Sequence, residues 1–285
     1  MKARSFEYVR ANTLRDAFDA FARAPGECRY LAGGQSLIPS LSLRLQAPSV
    51  LIDISRIGEL RGIALSVGGL RIGALTTHAE MLTSPDIARY APLFRLAAPH
   101  VAHPAVRNRG TIGGSMALAD PAAEFPAVAL AIDADFEIAG PDGVRRVKAD
   151  GFFKGPYETG LEPQEIITAI LVPPFGTGDH AVFDELARRR GDTAIVGAAI
   201  QGRFAGKQAE AVRIAFLSVG PVPVRARKAE AALEAISSRL RLSRRPRPRW
   251  KMILTRERTR KRRWACAFIS LACCSDVSSI NWGNA

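Results

Sequence analysis

The sequence predicts an α+β protein in which short strands and helices follow one another in mixed order. Its 285 residues are 47% hydrophobic and 24% charged, which is typical of a globular chain. Segments with the two-residue period of strands and the 3.6-residue period of helices alternate irregularly, without the βαβ repeat of a doubly wound sheet. Two glycine turns, each followed by a helical segment, interrupt this pattern.

The N-terminal segment predicts a strand, a helix, a second strand, a glycine turn with another helix, and a third strand. Asn12 or Thr13 can cap the first helix. The third strand, residues 49–55, is short and apolar. The apolar face of the first helix consists of Leu14, Ala17, Phe18 and Phe21.

The middle of the chain predicts two hairpins separated by a helical region. One hairpin turns at the glycine pair 68–69, and the other turns at the Pro-Asp-Gly sequence of residues 141–143. The short helices between them are bounded by Pro85 and Pro92. Residues 183–223 then predict three antiparallel strands, and the start of a helix follows.

The two glycine turns are the candidate ligand site. Paired glycines allow positive φ angles and leave no side chain between backbone and ligand, and their successive N–H groups can bind an anion. Two such turns suit a ligand with two phosphates, a dinucleotide, although each alone is also typical of an ordinary tight turn. Neither turn matches the G-x-G-x-x-G or P-loop pattern. The first comprises Ala32, Gly33, Gly34, Gln35, Ser36 and Leu37, and the second comprises Thr111, Ile112, Gly113, Gly114 and Ser115.

The sequence predicts neither a catalytic acid–base group nor a metal site. The four histidines have no metal-binding spacing, and no nucleophile elbow occurs. Asp120 and Glu124 stand four residues apart around a short helical piece, which fits capping groups better than an acid–base pair. The three arginines 188–190 end a predicted strand, where they face solvent or meet a phosphate or a partner subunit.

Both glycine segments, together with their flanks, resemble those of the FAD-binding (medium) subunits of the molybdenum hydroxylases. This group includes carbon monoxide dehydrogenase and xanthine dehydrogenase. The resemblance covers about residues 3–236, and the two segments in order are far more specific than either one alone. The matching segments are YLAGGQSLIPSLSLRLQAPSVLIDISRI, RNRGTIGGSMALADPAAEFPAVALAIDA and FDELARRRGDTAIVGAAI.

The resemblance implies a two-subdomain FAD-binding fold of the vanillyl-alcohol-oxidase-like (PCMH) type. Residues 1–55 and 56–175 would hold FAD between them. A third domain, residues 176–237, would carry an antiparallel sheet whose following helices are missing. Residues 238–285 would form an aberrant tail.

The resemblance also implies roles for the candidate residues. The turn at 32–36 would wrap the FAD pyrophosphate, with Leu37 following it, and residues 111–115 would contact pyrophosphate and ribitol from the other side. Glu124 would hydrogen-bond the cofactor, and Ile167 would lie near its isoalloxazine or adenine ring. Two positions depart from the family pattern: Asp184-Glu185 where a Lys is frequent, and Thr193 where an aromatic residue is frequent.

The implied function is electron transfer. A small subunit with two 2Fe–2S clusters would pass electrons one at a time to FAD, which can release them in pairs to a terminal acceptor. A large molybdopterin subunit would hydroxylate the substrate, in a dimer of heterotrimers. The alternatives are a stand-alone FAD-dependent oxidoreductase of the same fold and a nucleic-acid-binding protein. The sequence of this chain indicates neither the substrate nor the acceptor.

The basic charge of the chain lies in its C-terminal part. Residues 238–285 hold 13 basic and 2 acidic side chains, whereas the preceding residues hold 27 and 25. A nucleic-acid-binding arm is one interpretation. We favour a segment translated out of frame, because all three tryptophans cluster there and the resemblance stops. The absence of an apolar run of membrane-spanning length, or of a signal peptide, leads us to expect a cytoplasmic protein.

Overall fold

The first sheet of this computed structural model, which describes residues 2–205 and 208–242, is parallel and three-stranded. Thr13 caps the first helix in a capping box with Asp16, and the four predicted apolar residues of that helix pack against the sheet, which confirms the predicted helix face. The strand order of this first sheet is β1-β3-β2. The elements are β1 (Glu7–Arg10), α1 (Leu14–Arg23), β2 (Cys28–Leu31), α2 (Leu37–Ser42) and β3 (Val50–Asp53).

The second sheet is antiparallel, five-stranded, and contains both predicted hairpins. Its order is β4-β5-β10-β6-β7, so the strand that arrives last in the sequence occupies the centre. A small two-stranded sheet of β8 and β9 precedes that central strand in the sequence. The strands are β4 (Ile63–Ser66), β5 (Gly69–Gly73), β6 (Asp135–Gly140), β7 (Gly143–Lys148), β8 (Phe153–Gly155), β9 (Glu158–Thr159) and β10 (Ile166–Val172).

Six short helices, which together form the helical layer, come between the two hairpins in the sequence. Three of them begin with a proline, whose fixed φ suits the first helical position and whose missing N–H costs nothing there. The last is buried along its whole length. The helices are α3 (His78–Thr83), α4 (Pro85–Tyr90), α5 (Pro92–Ala97), α6 (Pro104–Arg107), α7 (Ile112–Leu118) and α8 (Glu124–Ala131).

The third sheet is antiparallel and packs its inner face against the helical layer. It has the three predicted long strands and a fourth strand of two residues that the sequence pattern did not predict. One apolar core runs from the second sheet through α5 and α8 to this inner face, while a smaller cluster joins the outer face to the last helix. The elements are β11 (Asp179–Ala187), β12 (Ala194–Ala205), β13 (Gln208–Leu217), β14 (Val224–Arg225) and α9 (Arg227–Leu242).

The last helix crosses the position at which the charge pattern changes. Helix α9 begins at Arg227 and continues to Leu242, five residues past 237. Residues 243–285 lie outside the described part of the chain, so the out-of-frame segment stays a prediction. Within the described ranges, no helix has the length and hydropathy that a membrane crossing requires.

Candidate functional site

The first glycine turn leads from the end of β2 into α2. Gly34 has a φ of +74°, in the left-handed region that favours glycine. Within the described residues, the backbone N–H groups of Gly33, Gly34, Gln35 and Ser36 donate no hydrogen bond. Four successive free donors on a partly exposed loop are the feature that lets a backbone bind an anionic group.

The second glycine segment is bonded into the protein instead. Thr111 caps α7 by accepting a hydrogen bond from the Gly114 N–H at 3.2 Å. The N–H of Ile112 donates to the carbonyl oxygen of Thr76 at 2.9 Å, and that of Gly113 donates to the oxygen of Ala74 at 2.8 Å. The backbone N–H groups of Ile112, Gly113 and Gly114 are therefore occupied within the protein, unlike those of the first turn. This segment presents a fixed surface to a ligand.

The fold brings the two glycine segments into backbone contact. A Cβ atom on Gly33 would lie 2.1 Å from the carbonyl oxygen of Arg109 and 3.0 Å from the Cα atom of Gly110. No side chain fits at that distance, so glycine is required by close approach at Gly33 and by φ at Gly34. The first turn therefore lies directly against residues 109–110, which immediately precede the second glycine turn.

The remaining glycines of the second segment differ in their surroundings. A Cβ on Gly113 would lie 2.5 Å from the Cβ of Ala74, so this glycine is needed where α7 abuts the strand end. A Cβ on Gly114 would meet only the Thr111 hydroxyl oxygen, at 2.9 Å. Neither has a positive φ, so the free backbone conformation expected of each glycine pair applies to Gly34 alone.

His78 supports the second segment from inside the protein, and the sequence pattern gave no signal for this role. Its backbone N–H donates to the Gly110 oxygen at 2.9 Å. Its imidazole ring is buried and meets the Phe125 ring edge-on, with centroids 5.0 Å apart. Burial lowers the pKa of His78 to about 4, so the ring is neutral at physiological pH.

Glu124 and Ile167 are both buried. Glu124 is the first residue of α8, and its side chain accepts no hydrogen bond from either glycine segment within the described residues. Burial, together with repulsion from Glu185, raises its pKa to about 7. Ile167 lies in β10 opposite Ile138, in the main core, and is 4% exposed. Neither contact with a cofactor is visible from this geometry, and both stay predictions.

The hairpin between β11 and β12 carries the positions that depart from the family pattern. Thr193 is exposed in this hairpin, and Glu185 points inward to the helical layer, where His100 Nδ1 lies 3.2 Å from its Oε1. Gly191, at a φ of +82°, packs against the loop after α5, since a Cβ there would lie 2.7 Å from the Ala102 oxygen. The hairpin is thereby held against the loop that leads to the second glycine segment.

Comparison with known proteins finds two matching families. Residues 4–175 match the FAD binding domain in molybdopterin dehydrogenase, and residues 181–236 match the CO dehydrogenase flavoprotein C-terminal domain. The carbon monoxide dehydrogenase medium chain of Hydrogenophaga pseudoflava is 40% identical over 220 residues, 77% of each chain. The 6-hydroxypseudooxynicotine dehydrogenase complex subunit alpha of Paenarthrobacter nicotinovorans is 41% identical over 232 residues, 81% of this chain and 78% of that protein.

Solved structures agree with these sequence matches. Carbon monoxide dehydrogenase from Hydrogenophaga pseudoflava, in a form that lacks the Mo-pyranopterin moiety, superposes with a TM-score of 0.80 at 42% identity, covering 82% of this chain and 81% of that one. Quinoline 2-oxidoreductase from Pseudomonas putida 86 superposes with a TM-score of 0.78 at 41% identity, with the same coverage. The described part of the chain thus shares both sequence and fold with these proteins.

Proposed function

Because the chain belongs to the family of FAD-binding subunits of molybdopterin dehydrogenases, we propose that it carries electrons through FAD within a molybdenum hydroxylase. It is an oxidoreductase subunit, and its cofactor is FAD. In the proposed path, electrons arrive from 2Fe–2S clusters in a partner subunit and leave for a terminal acceptor.

The observation that carries the proposal is the contact between the two glycine segments. The free N–H groups of residues 33–36 fit a pyrophosphate, since they can donate hydrogen bonds to its oxygens. The missing Cβ at Gly33 lets this turn pack directly against the backbone of residues 109–110. A diphosphate held there would lie against both segments, which explains why two turns so distant in sequence are needed together.

The residues of the two segments then take the following roles. The turn at 32–36 wraps the pyrophosphate, and Leu37 follows it at the start of α2. Residues 111–115 bound the cofactor from the other side, with the Ser115 hydroxyl as a further polar group. Glu124 donates or accepts a hydrogen bond to the cofactor, and Ile167 forms part of the wall near one of its rings.

The proposed division of the chain follows the sheets. Residues 1–55 hold the parallel sheet with the first glycine turn, and residues 56–175 hold the second sheet with the second segment. Residues 176–237 form the third domain, whose long strands pack on α5 and α8. Residues 238–285 would be the aberrant tail. FAD would lie between the first two domains, where the glycine segments meet.

In the proposed mechanism this chain binds and orients FAD, and it performs no acid–base chemistry. Bound FAD supplies the conversion between one-electron input and two-electron output. The backbone donors of the first turn fix the phosphates, and the surface of the second segment prevents them from shifting. The neutral, buried His78 keeps Gly110 in place without adding a charge beside the pyrophosphate.

The partners we propose are a small 2Fe–2S subunit and a large molybdopterin subunit, in a dimer of heterotrimers. Relatives of this chain are the medium chain or a subunit of dehydrogenase complexes. The hairpin at residues 188–193 is a surface on which such a partner could dock, since it is exposed, basic and held against the body by Gly191.

The test of electron transfer uses the assembled complex. The chain is co-expressed with candidate large molybdopterin and small 2Fe–2S subunits, and the flavin absorbance of the purified complex is followed after anaerobic addition of the substrate of the large subunit. We expect the flavin band to bleach after the 2Fe–2S bands. A flavin that stays oxidised while the 2Fe–2S clusters become reduced would contradict the proposal, as would a complex that purifies without this chain.

A further inference from the structure

Two arginines precede the second glycine segment, and their side chains have different surroundings. Arg107 is bonded into the protein, because its Nη1 donates to the carbonyl oxygens of Val101 at 2.9 Å and Ala102 at 2.7 Å. Arg109 is exposed, and its guanidinium makes no hydrogen bond or ion pair with the residues that the structure describes. The first arginine therefore supports the loop, and the second is available to a ligand.

The backbone of Arg109 is fixed beside the first glycine turn. A Cβ on Gly33 would lie 2.1 Å from the Arg109 oxygen and 2.9 Å from its carbonyl carbon. The N–H groups of Arg109 and Gly110 both donate to the Val106 oxygen, at 3.2 Å and 2.7 Å. The Arg109 side chain thus begins next to the first of the four residues whose N–H groups are free. Its long stem ends in a planar fork of donors that can meet a phosphate bound by those groups.

The first turn needs a cation from elsewhere in the chain. It follows the end of β2, and residues 32–37 include no charged side chain. The neighbouring strand end is acidic, since Asp53 of β3 lies opposite Leu31 of β2. Arg10 compensates that carboxylate, with its Nε 3.5 Å from Oδ2 of Asp53. A diphosphate at the turn adds negative charge that this pair does not balance, and a guanidinium would stabilise it.

We propose that the Arg109 guanidinium binds the pyrophosphate of FAD, so that the diphosphate lies between this cation and the free N–H groups of residues 33–36. The inference rests on the proposed function and adds to the backbone donors a side chain that recognises the phosphates. Arg109 thereby favours a ligand with a diphosphate over one without it. Because its guanidinium has no partner among the described residues, its removal should affect binding and not stability.

The first experiment measures the Kd of FAD for Arg109→Gln, by quenching of flavin fluorescence with the flavin-free, full-length chain. Loss of hydrogen bonds between charged groups should raise the Kd roughly ten- to hundredfold, while the melting temperature without flavin stays at the wild-type value. Arg56→Gln is the matched control, because it removes the same charge from another exposed arginine, three residues after β3 ends. A wild-type Kd in Arg109→Gln, or an equal rise in both variants, would overturn the inference.

The second experiment tests whether the charge of Arg109 is used. The wild-type Kd should rise more steeply than that of Arg109→Gln between about 50 mM and about 500 mM NaCl, because salt screens a contact between opposite charges. Arg109→Lys keeps the charge without the planar fork, so its Kd should lie between those of the wild type and Arg109→Gln. Equal salt dependence in the wild type and Arg109→Gln, or equal Kd values of the two variants, would contradict a role of the charge.

The third experiment separates the diphosphate from the flavin ring by using ADP as a competitor of FAD. ADP should displace FAD from the wild type, and Arg109→Gln should raise the inhibition constant of ADP by about the same factor as the Kd of FAD. ADP that does not compete, or competes equally well in both proteins, would overturn the inference. A wild type that binds no FAD would contradict the proposed function itself, whereas a wild type and an Arg109→Gln variant that bind FAD equally well contradict only the role of Arg109.

Discussion

Gly33→Ala is the substitution that most specifically disturbs the contact between the two glycine segments. The added Cβ would lie 2.1 Å from the Arg109 oxygen, and Cβ atoms essentially never approach within 3.0 Å, so one of the two backbones must move by about 1 Å. The Gly110 N–H donates to Val106 and its oxygen accepts from His78, so a shift there strains two further hydrogen bonds. Overpacking of this kind costs about 1–3 kcal/mol.

The same displacement should weaken FAD binding, because it moves the free N–H groups of residues 33–36 away from the second segment. A loss of about 1.4 kcal/mol in binding corresponds to a tenfold higher Kd, so we expect a ten- to hundredfold increase. The assay is quenching of flavin fluorescence by the full-length chain, with the melting temperature measured in parallel. The control is Gly68→Ala, whose Cβ would have no atom within 4 Å. Wild-type affinity and melting temperature in Gly33→Ala would refute the reasoning.

Three other outcomes test the surroundings of the site. Gly113→Ala should lower the melting temperature more than Gly114→Ala. The added Cβ of the first variant would lie 2.5 Å from the Cβ of Ala74, whereas that of the second would meet only the Thr111 hydroxyl oxygen, at 2.9 Å. Equal melting temperatures of the two variants would contradict this. The folded pKa of the buried His78 is about 4, so this residue makes the protein less stable as the pH falls from about 6.5. His78→Leu should therefore remove about 2 kcal/mol of the loss in unfolding free energy between pH 7 and pH 5, measured by urea unfolding. An unchanged pH profile would refute this. Arg225→Met leaves the buried Glu230 without its ion-pair partner, at 2.7 Å in the wild type, and should cost about 3–5 kcal/mol in urea unfolding; a loss below about 1 kcal/mol would show that α9 is held by other contacts.

The local elements of this fold could be predicted from the sequence because their signals are local. The apolar face of α1 follows from spacing alone, and the Pro-Asp-Gly turn marks the hairpin of β6 and β7. The strand β14 has only two residues, Val224 and Arg225, and exists through its pairing with β13, so no periodicity could indicate it. The family resemblance supplied the topology that these patterns did not determine.

The residues of the candidate site could be proposed from the sequence, but the contacts that explain why they are needed could not. Both glycine segments were identified, but the reason for Gly33 is a contact with Arg109, and such a contact depends on the three-dimensional path of the chain. Occupation of the Ile112 and Gly113 donors by the strand end at residues 74–76 depends on that path too. The buried role of His78 had no sequence signal, because a lone histidine on a helix is common in either a core or a site.

Because the two glycine segments are the proposed FAD site, a measurement of FAD binding tests that site most directly. The purified full-length chain, freed of flavin, is titrated with FAD, and the bound flavin is then tested by acid precipitation. We expect saturation at about one FAD per chain and full release of flavin into the supernatant, because neither glycine segment contains a His or Cys that could bond to it. A chain that leaves FAD fluorescence unchanged, or whose flavin precipitates with the protein, would contradict a noncovalent FAD site between these two turns.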